Sequence, residues 1–97
     1  MWESIDDITL EQEEDGELIC EILDRVVLSK GAWSTILFKI REMDKRKGEM
    51  GPVKFTIRRY RKMKGVYRQQ SKFNISSVAQ ATKRIEGLQK WVDQEAV

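Results

Sequence analysis

Histidine is absent from this chain, cysteine and proline occur once each, and apolar runs never exceed a few residues. Without histidine there is no ordinary zinc constellation and no histidine acid–base pair, and Cys20 alone excludes an internal disulfide framework. Cys20 lies in an apolar stretch with no histidine to activate it, so it reads as a core side chain and not a nucleophile. The short apolar runs speak against a membrane-spanning helix, and the acidic start differs from the basic start of a signal peptide. The expected location is a reducing cytoplasm, as in a bacterial cytoplasm or nucleoid, with no membrane partner.

Charge of one sign is missing from part of the chain as well. Residues 1–17 hold eight carboxylates and no Lys or Arg, which leaves 18 cations against 8 carboxylates, a formal +10, in residues 18–97. Such asymmetry reads as a basic binding domain, 18–97, behind an acidic arm, 1–17. Trp2, Ile5, Ile8 and Leu10 are too few apolar groups to fold the arm alone, so disorder is expected, with a short helix on docking as the alternative. Carboxylates on a flexible arm have no fixed geometry for acid–base work, and the glycines near Lys45–Gly48 are wrongly spaced for a phosphate-cradling loop. No enzyme activity, catalytic residue, cofactor or metal is therefore expected. At 97 residues the chain forms one small domain with a modest core, which favours a homodimer.

The strongest local pattern runs Val53-Lys54-Phe55-Thr56-Ile57-Arg58-Arg59-Tyr60-Arg61-Lys62, alternating apolar and cationic positions. Period-two alternation marks a two-faced strand. Leu18 to Ser29 is a β-branched-rich strand ended by Ser29-Lys30-Gly31, and Trp33 to Met43 alternates around Ile36, Phe38 and Ile40, so the two read as a hairpin. Residues 44–52 read as a long charged loop closed by Pro52, and Tyr67 to Ile75 as a fourth strand. After Ser76 or Ser77, a good N-cap, the period changes: Val78, Ala81, Ile85, Leu88 and Val92 form one helical stripe ending near Asp93. Gly87 inside that helix suggests close packing. The expected fold is α+β, a four-stranded antiparallel sheet followed by one C-terminal helix, β-β-β-β-α.

One sheet face needs a cover, and the helix is expected to lie on Ile36, Phe38, Ile40, Val53, Phe55, Ile57, Phe73 and Ile75. The opposite, open face then carries Lys39, Arg41, Lys54, Arg58, Tyr60, Lys62, Arg68 and Lys72. These eight are the expected nucleic-acid-binding residues. Cations gathered on one face repel unless a polyanion sits there, and phosphates supply salt-sensitive, sequence-independent affinity. Tyr60 among the cations adds a stacking surface for unpaired bases. Trp33 reads instead as a hairpin-edge residue.

The strand order, Ile57-Arg58-Arg59-Tyr60, the run Phe73-Asn74-Ile75-Ser76, and Val27-Leu28-Ser29 before Gly31-Ala32-Trp33 together resemble the single-stranded-DNA-binding domain of the transcriptional coactivator positive cofactor four, particularly its bacterial members. The resemblance covers about residues 18–93. It implies a Whirly-like dimer joined partly through its C-terminal helices, binding extended single-stranded DNA with Arg58 on phosphate and Tyr60 stacking. It also implies a role beside transcription, replication or repair machinery. The family's basic-Gly-Ile/Val-Ser/Thr-Leu segment reads Ser71-Lys72-Phe73-Asn74-Ile75 here, without glycine. RNA is the alternative ligand. A different class of reading makes the basic sheet a protein-docking surface for an acidic partner or for the chain's own arm.

Overall fold

The computed structural model describes residues 2–10, 12–14 and 16–96; Glu11 and Asp15, counted among the arm's carboxylates, lie outside them. The architecture is α+β. Strands β1 (Gln12–Glu14), β2 (Glu17–Ser29), β3 (Trp33–Asp44), β4 (Glu49–Met50), β5 (Lys54–Met63) and β6 (Val66–Ile75) precede one helix, α1 (Val78–Glu95). All pairings are antiparallel, in the order β1-β2-β3-β5-β6, with β4 pairing on β3. The four long strands and the helix are those the periodicity predicts. β4 is new: the charged loop folds back as a short ladder beside Met43 and Asp44, after an Asx turn in which Asp44 Oδ1 accepts from the amides of Arg46 and Lys47.

Turn chemistry sets the hairpins. Lys64 and Gly65 both have positive φ, 52° and 81°, and join the paired residues Met63 and Val66, the two-residue turn whose twist matches that of the flanking strands. Ser77 caps α1 by accepting the Gln80 amide, while the Gln80 side chain accepts from the Ser76 amide, a near relative of the reciprocal capping box.

Register decides the faces. β3 pairs with β5 through Ile36↔Arg58, Phe38↔Thr56 and Ile40↔Lys54, and residues directly opposite in a ladder point to the same side. The apolar row of β3 therefore shares a face with the polar row of β5, whereas Phe55 and Ile57 fall on the reverse face with Lys39 and Leu37. The expected grouping of Ile36, Phe38 and Ile40 with Phe55, Ile57 and Phe73 is thus corrected. Alternation divides each strand into two rows, but only the register says which rows meet.

The cover is corrected too. Helix α1 buries none of its side chains, and the space around Gly87 is open. The α1 stripe faces Phe55, Ile57, Phe73 and Ile75 across a groove, as expected for those four, but Ile36, Phe38 and Ile40 are covered by the arm: a 3-10 turn at Ile5–Asp7, capped by Ser4, places Ile5 (6% exposed) and Ile8 (0%) on them and on Tyr60 and Tyr67. Trp2, Leu10, Cys20 and Ile22 pack around that cluster. Trp2 also joins the β6 edge, donating to the Tyr67 carbonyl at 3.5 Å and accepting from its amide at 2.6 Å. Residues expected to be disordered form the second layer because the sheet offers an apolar patch that they cannot make for themselves. Among the described residues, no helix is long and apolar enough to cross a membrane.

If the arm is part of the core, Ile8→Ala should cost about 2–5 kcal/mol, read as a lower thermal midpoint. Glu3→Ala, at an exposed position of the same arm, should leave the midpoint unchanged. Equal, negligible effects of both would mean that the arm does not cover the sheet in solution.

Candidate nucleic-acid interface

The eight expected binding residues divide between two faces. Lys54, Arg58, Tyr60, Lys62 and Lys72 share the arm-covered face, because β5 and β6 pair through Arg58↔Lys72 and Lys62↔Tyr67. Lys39, Arg41 and Arg68 lie on the reverse face, a correction that follows from the same register. Lys39 stands opposite Asp24 and Arg41 opposite Glu21, so each of these two cations has a carboxylate as its ladder neighbour. Arg68 stands opposite Arg61.

On the covered face a cleft of about 630 Å³ opens between arm and sheet, lined by Trp2, Leu10, Arg58, Gln69, Lys72 and Asn74 among others. Lys45 adds a third cation, and Glu42 is the one carboxylate among its described lining residues. Arg58 is held in place on its floor. Its Nε–H donates to Thr56 Oγ1 at 2.9 Å and an Nη1–H donates to Gln69 Oε1 at 2.8 Å. The Thr56 hydroxyl in turn donates to Asn74 Oδ1 at 2.7 Å. Thr56 is fully buried, so the network fixes the guanidinium from below and leaves its remaining donors for a ligand. Lys72 is the exposed cross-strand neighbour of Arg58.

Tyr60 departs most from expectation. It is 0% exposed, and Trp2 meets its ring edge-on, with centroids 6.0 Å apart and planes at 87°. While the arm is docked, no base can stack on it. Its hydroxyl has no hydrogen-bond partner among the described residues, nor has Nη1 of Arg25, whose guanidinium lies 5.3 Å from the Phe38 ring centre. Burial raises the Tyr60 pKa above its ordinary 10.0, and the nearby Arg58 and Arg25 charges oppose that rise.

Trp2, Arg25 and Gln69 take part in this site although the sequence pattern did not single them out. Gln69 reaches Arg58 because the β5–β6 register shifts between Arg59 and Tyr60, and Arg25 reaches the same face because β2 shifts between Ile22 and Asp24. Bulges of this kind break the alternation rule on which face assignments rest. For Trp2 a signal was present, an aromatic residue preceding the Ile5, Ile8 and Leu10 spacing. Compared with known proteins, the chain matches no family model, no curated protein and no solved structure.

Tyr60→Phe removes a buried hydroxyl that lacks a partner among the described residues, a group whose desolvation costs about 1–3 kcal/mol. The variant should be as stable as the parent or more so at neutral pH. Because the folded state holds the phenol proton more tightly than the unfolded chain, the parent should lose stability as pH rises through the raised value. Tyr60→Phe should lose less stability over that alkaline range. A denaturant series at pH 7 and above pH 10 checks both, and identical alkaline losses would remove Tyr60 as the titrating group.

Proposed function

We propose that this chain is a non-enzymatic single-stranded nucleic-acid-binding protein, with DNA as its ligand and little sequence preference. The observation that carries the reading is the Arg58–Lys72 pair, two cations directly opposite on neighbouring strands in an open polar cleft. Like charges opposed across a ladder destabilise a sheet, and a phosphate between them turns that repulsion into attraction. Binding is accordingly electrostatic and salt-sensitive, with slopes set by the phosphates neutralised. The Trp2 ring on the cleft wall supplies a stacking surface, worth about 1–3 kcal/mol per base. The resemblance to positive cofactor four favours DNA over RNA and a role in transcription, replication or repair; RNA remains the alternative, because these contacts do not read the 2′-hydroxyl.

The same reading includes a homodimer. On the reverse face a second groove of about 660 Å³ runs between sheet and helix, lined by Leu37, Phe55, Ile57, Phe73, Ile75 and the α1 residues Ala81, Ile85, Leu88 and Trp91. Ile85, Leu88 and Trp91 are 63%, 61% and 63% exposed. A second copy of the chain is the proposed cover, with open space at Gly87 for a close approach.

A second reading draws on the Trp2–Tyr60 contact: the arm is an intramolecular occupant of the binding face. It docks through Trp2, Ile5, Ile8 and Leu10, while Glu3, Asp6 and Asp7 stay exposed, so this contact rests on apolar groups and not on phosphate mimicry.

Fluorescence anisotropy of a labelled single-stranded oligonucleotide, with duplex and RNA competitors across a salt series, tests the proposal. Tight, salt-sensitive binding that Arg58→Ala weakens about tenfold or more is expected. No binding at low salt would refute it. Trp2→Ala separates the two readings: weaker binding makes Trp2 a stacking wall, and tighter binding makes it an occluding plug over Tyr60.

A further inference from the structure

The reverse face holds a second cluster that the cleft does not use. Trp33, at the start of β3, is 43% exposed. The guanidinium carbons of Arg59 and Arg61 lie 4.7 and 5.3 Å from its ring centre. In the ladder Arg61 stands between Trp33 and Arg68, and Arg59 between Thr35 and Ser71. Three arginines, one indole and two hydroxyls thus form one patch, and none of the three cations has a carboxylate directly opposite in these ladders. That differs from Lys39 and Arg41 on the same face, which stand opposite Asp24 and Glu21.

Three features of the patch suit a polyanion. Arg61 directly opposite Arg68 is an unfavourable like-charge pair. The indole accounts for part of its tolerance, since an exposed cation–π contact is modestly favourable. A guanidinium held beside an aromatic ring and not by a carboxylate keeps N–H donors for the bidentate geometry that phosphate accepts. Neither the Trp33 ring nor the three arginines line the apolar groove proposed for the second copy. The patch is thus distinct from the lining of that groove.

We propose that Trp33, Arg59, Arg61 and Arg68 form a second contact site for single-stranded nucleic acid, in which the arginines hold successive phosphates and one base stacks on Trp33 or on an arginine plane. The inference rests on the nucleic-acid reading above and extends it to the opposite face of the sheet. Because the patch stands clear of the arm, it needs no movement of Trp2 to engage ligand.

The test compares full-length variants by anisotropy with a labelled oligothymidylate long enough to leave the cleft, over a salt series. Arg59→Ala with Arg61→Ala should weaken binding about tenfold and reduce the steepness of log Kobs against log salt by about 1.4, roughly 0.7 for each single-strand phosphate that the protein no longer neutralises. Lys83→Ala with Lys90→Ala removes the same charge from α1 and should change neither quantity appreciably. Trp33→Ala should weaken binding while leaving the slope unchanged, because it removes stacking and no charge. Circular dichroism melts of each variant exclude loss of fold as the cause. Equal losses in the two charge-matched pairs would reduce the effect to net charge and overturn the site. An unaltered slope in the Arg59/Arg61 variant, with Arg58→Ala still impaired, would overturn the patch and leave the cleft reading standing. Failure of the parent chain to bind at all would overturn both.

Discussion

The structure depends on one pairing choice, the register that sets Ile36 opposite Arg58 and Phe38 opposite Thr56. Had the register been one residue different, the apolar rows of β3 and β5 would have met on one face and their polar rows on the other. The pairing found instead makes both faces mixed. One face joins an aliphatic and aromatic patch to a row of cations, and the other joins an apolar groove to an arginine cluster. A mixed face cannot be covered by one uniformly apolar helix. The first face has its own cover in the arm, which places Ile5 and Ile8 on the apolar part and leaves the polar part as a cleft.

This arrangement explains why Arg58 and Tyr60, two residues apart in one strand row, meet different fates. Tyr60 lies beneath Trp2, where its hydroxyl lacks a partner among the described residues and burial disfavours its anion. Arg58 lies just beyond the arm, where Thr56, Gln69 and Asn74 hold it from below and the cleft stays open above. Fixing a cation by uncharged hydrogen-bonding groups leaves its charge unneutralised, and that suits the recognition of an anion better than a salt bridge would. The like-charged cross-strand pairs Arg58–Lys72 and Arg61–Arg68 repeat the motif on opposite faces of one ladder. Their electrostatic cost has a physical rationale if phosphates occupy both.

The strands and helix were legible because their signals are local. Alternation from Lys54 to Lys62, the Lys64-Gly65 turn and the Ser77 cap each act within a few residues. The division of Lys39, Arg41 and Arg68 from Arg58 and Lys72 was not legible, because face membership is relative between strands. Two bulges then moved Arg25 and Gln69 against simple alternation. The docking of the arm was hidden for a different reason. Four apolar side chains among carboxylates do read as a solvated tail, and only the patch around Phe38, Tyr60 and Tyr67 gives them a surface to bury against.

By itself the sequence determined the α+β class, the four long strands, the terminal helix and the concentration of cations in the last two strands. These follow from periodicity, turn residues and charge, all short-range properties of the chain. Tertiary structure alone decided which cations share a face, which aromatic is covered, and what covers it. Those depend on strand register and on contacts between segments far apart in sequence, such as Trp2 with Tyr60 and Tyr67. No local pattern encodes such contacts, because each side chain becomes apolar cover or exposed ligand contact only through the partner it meets.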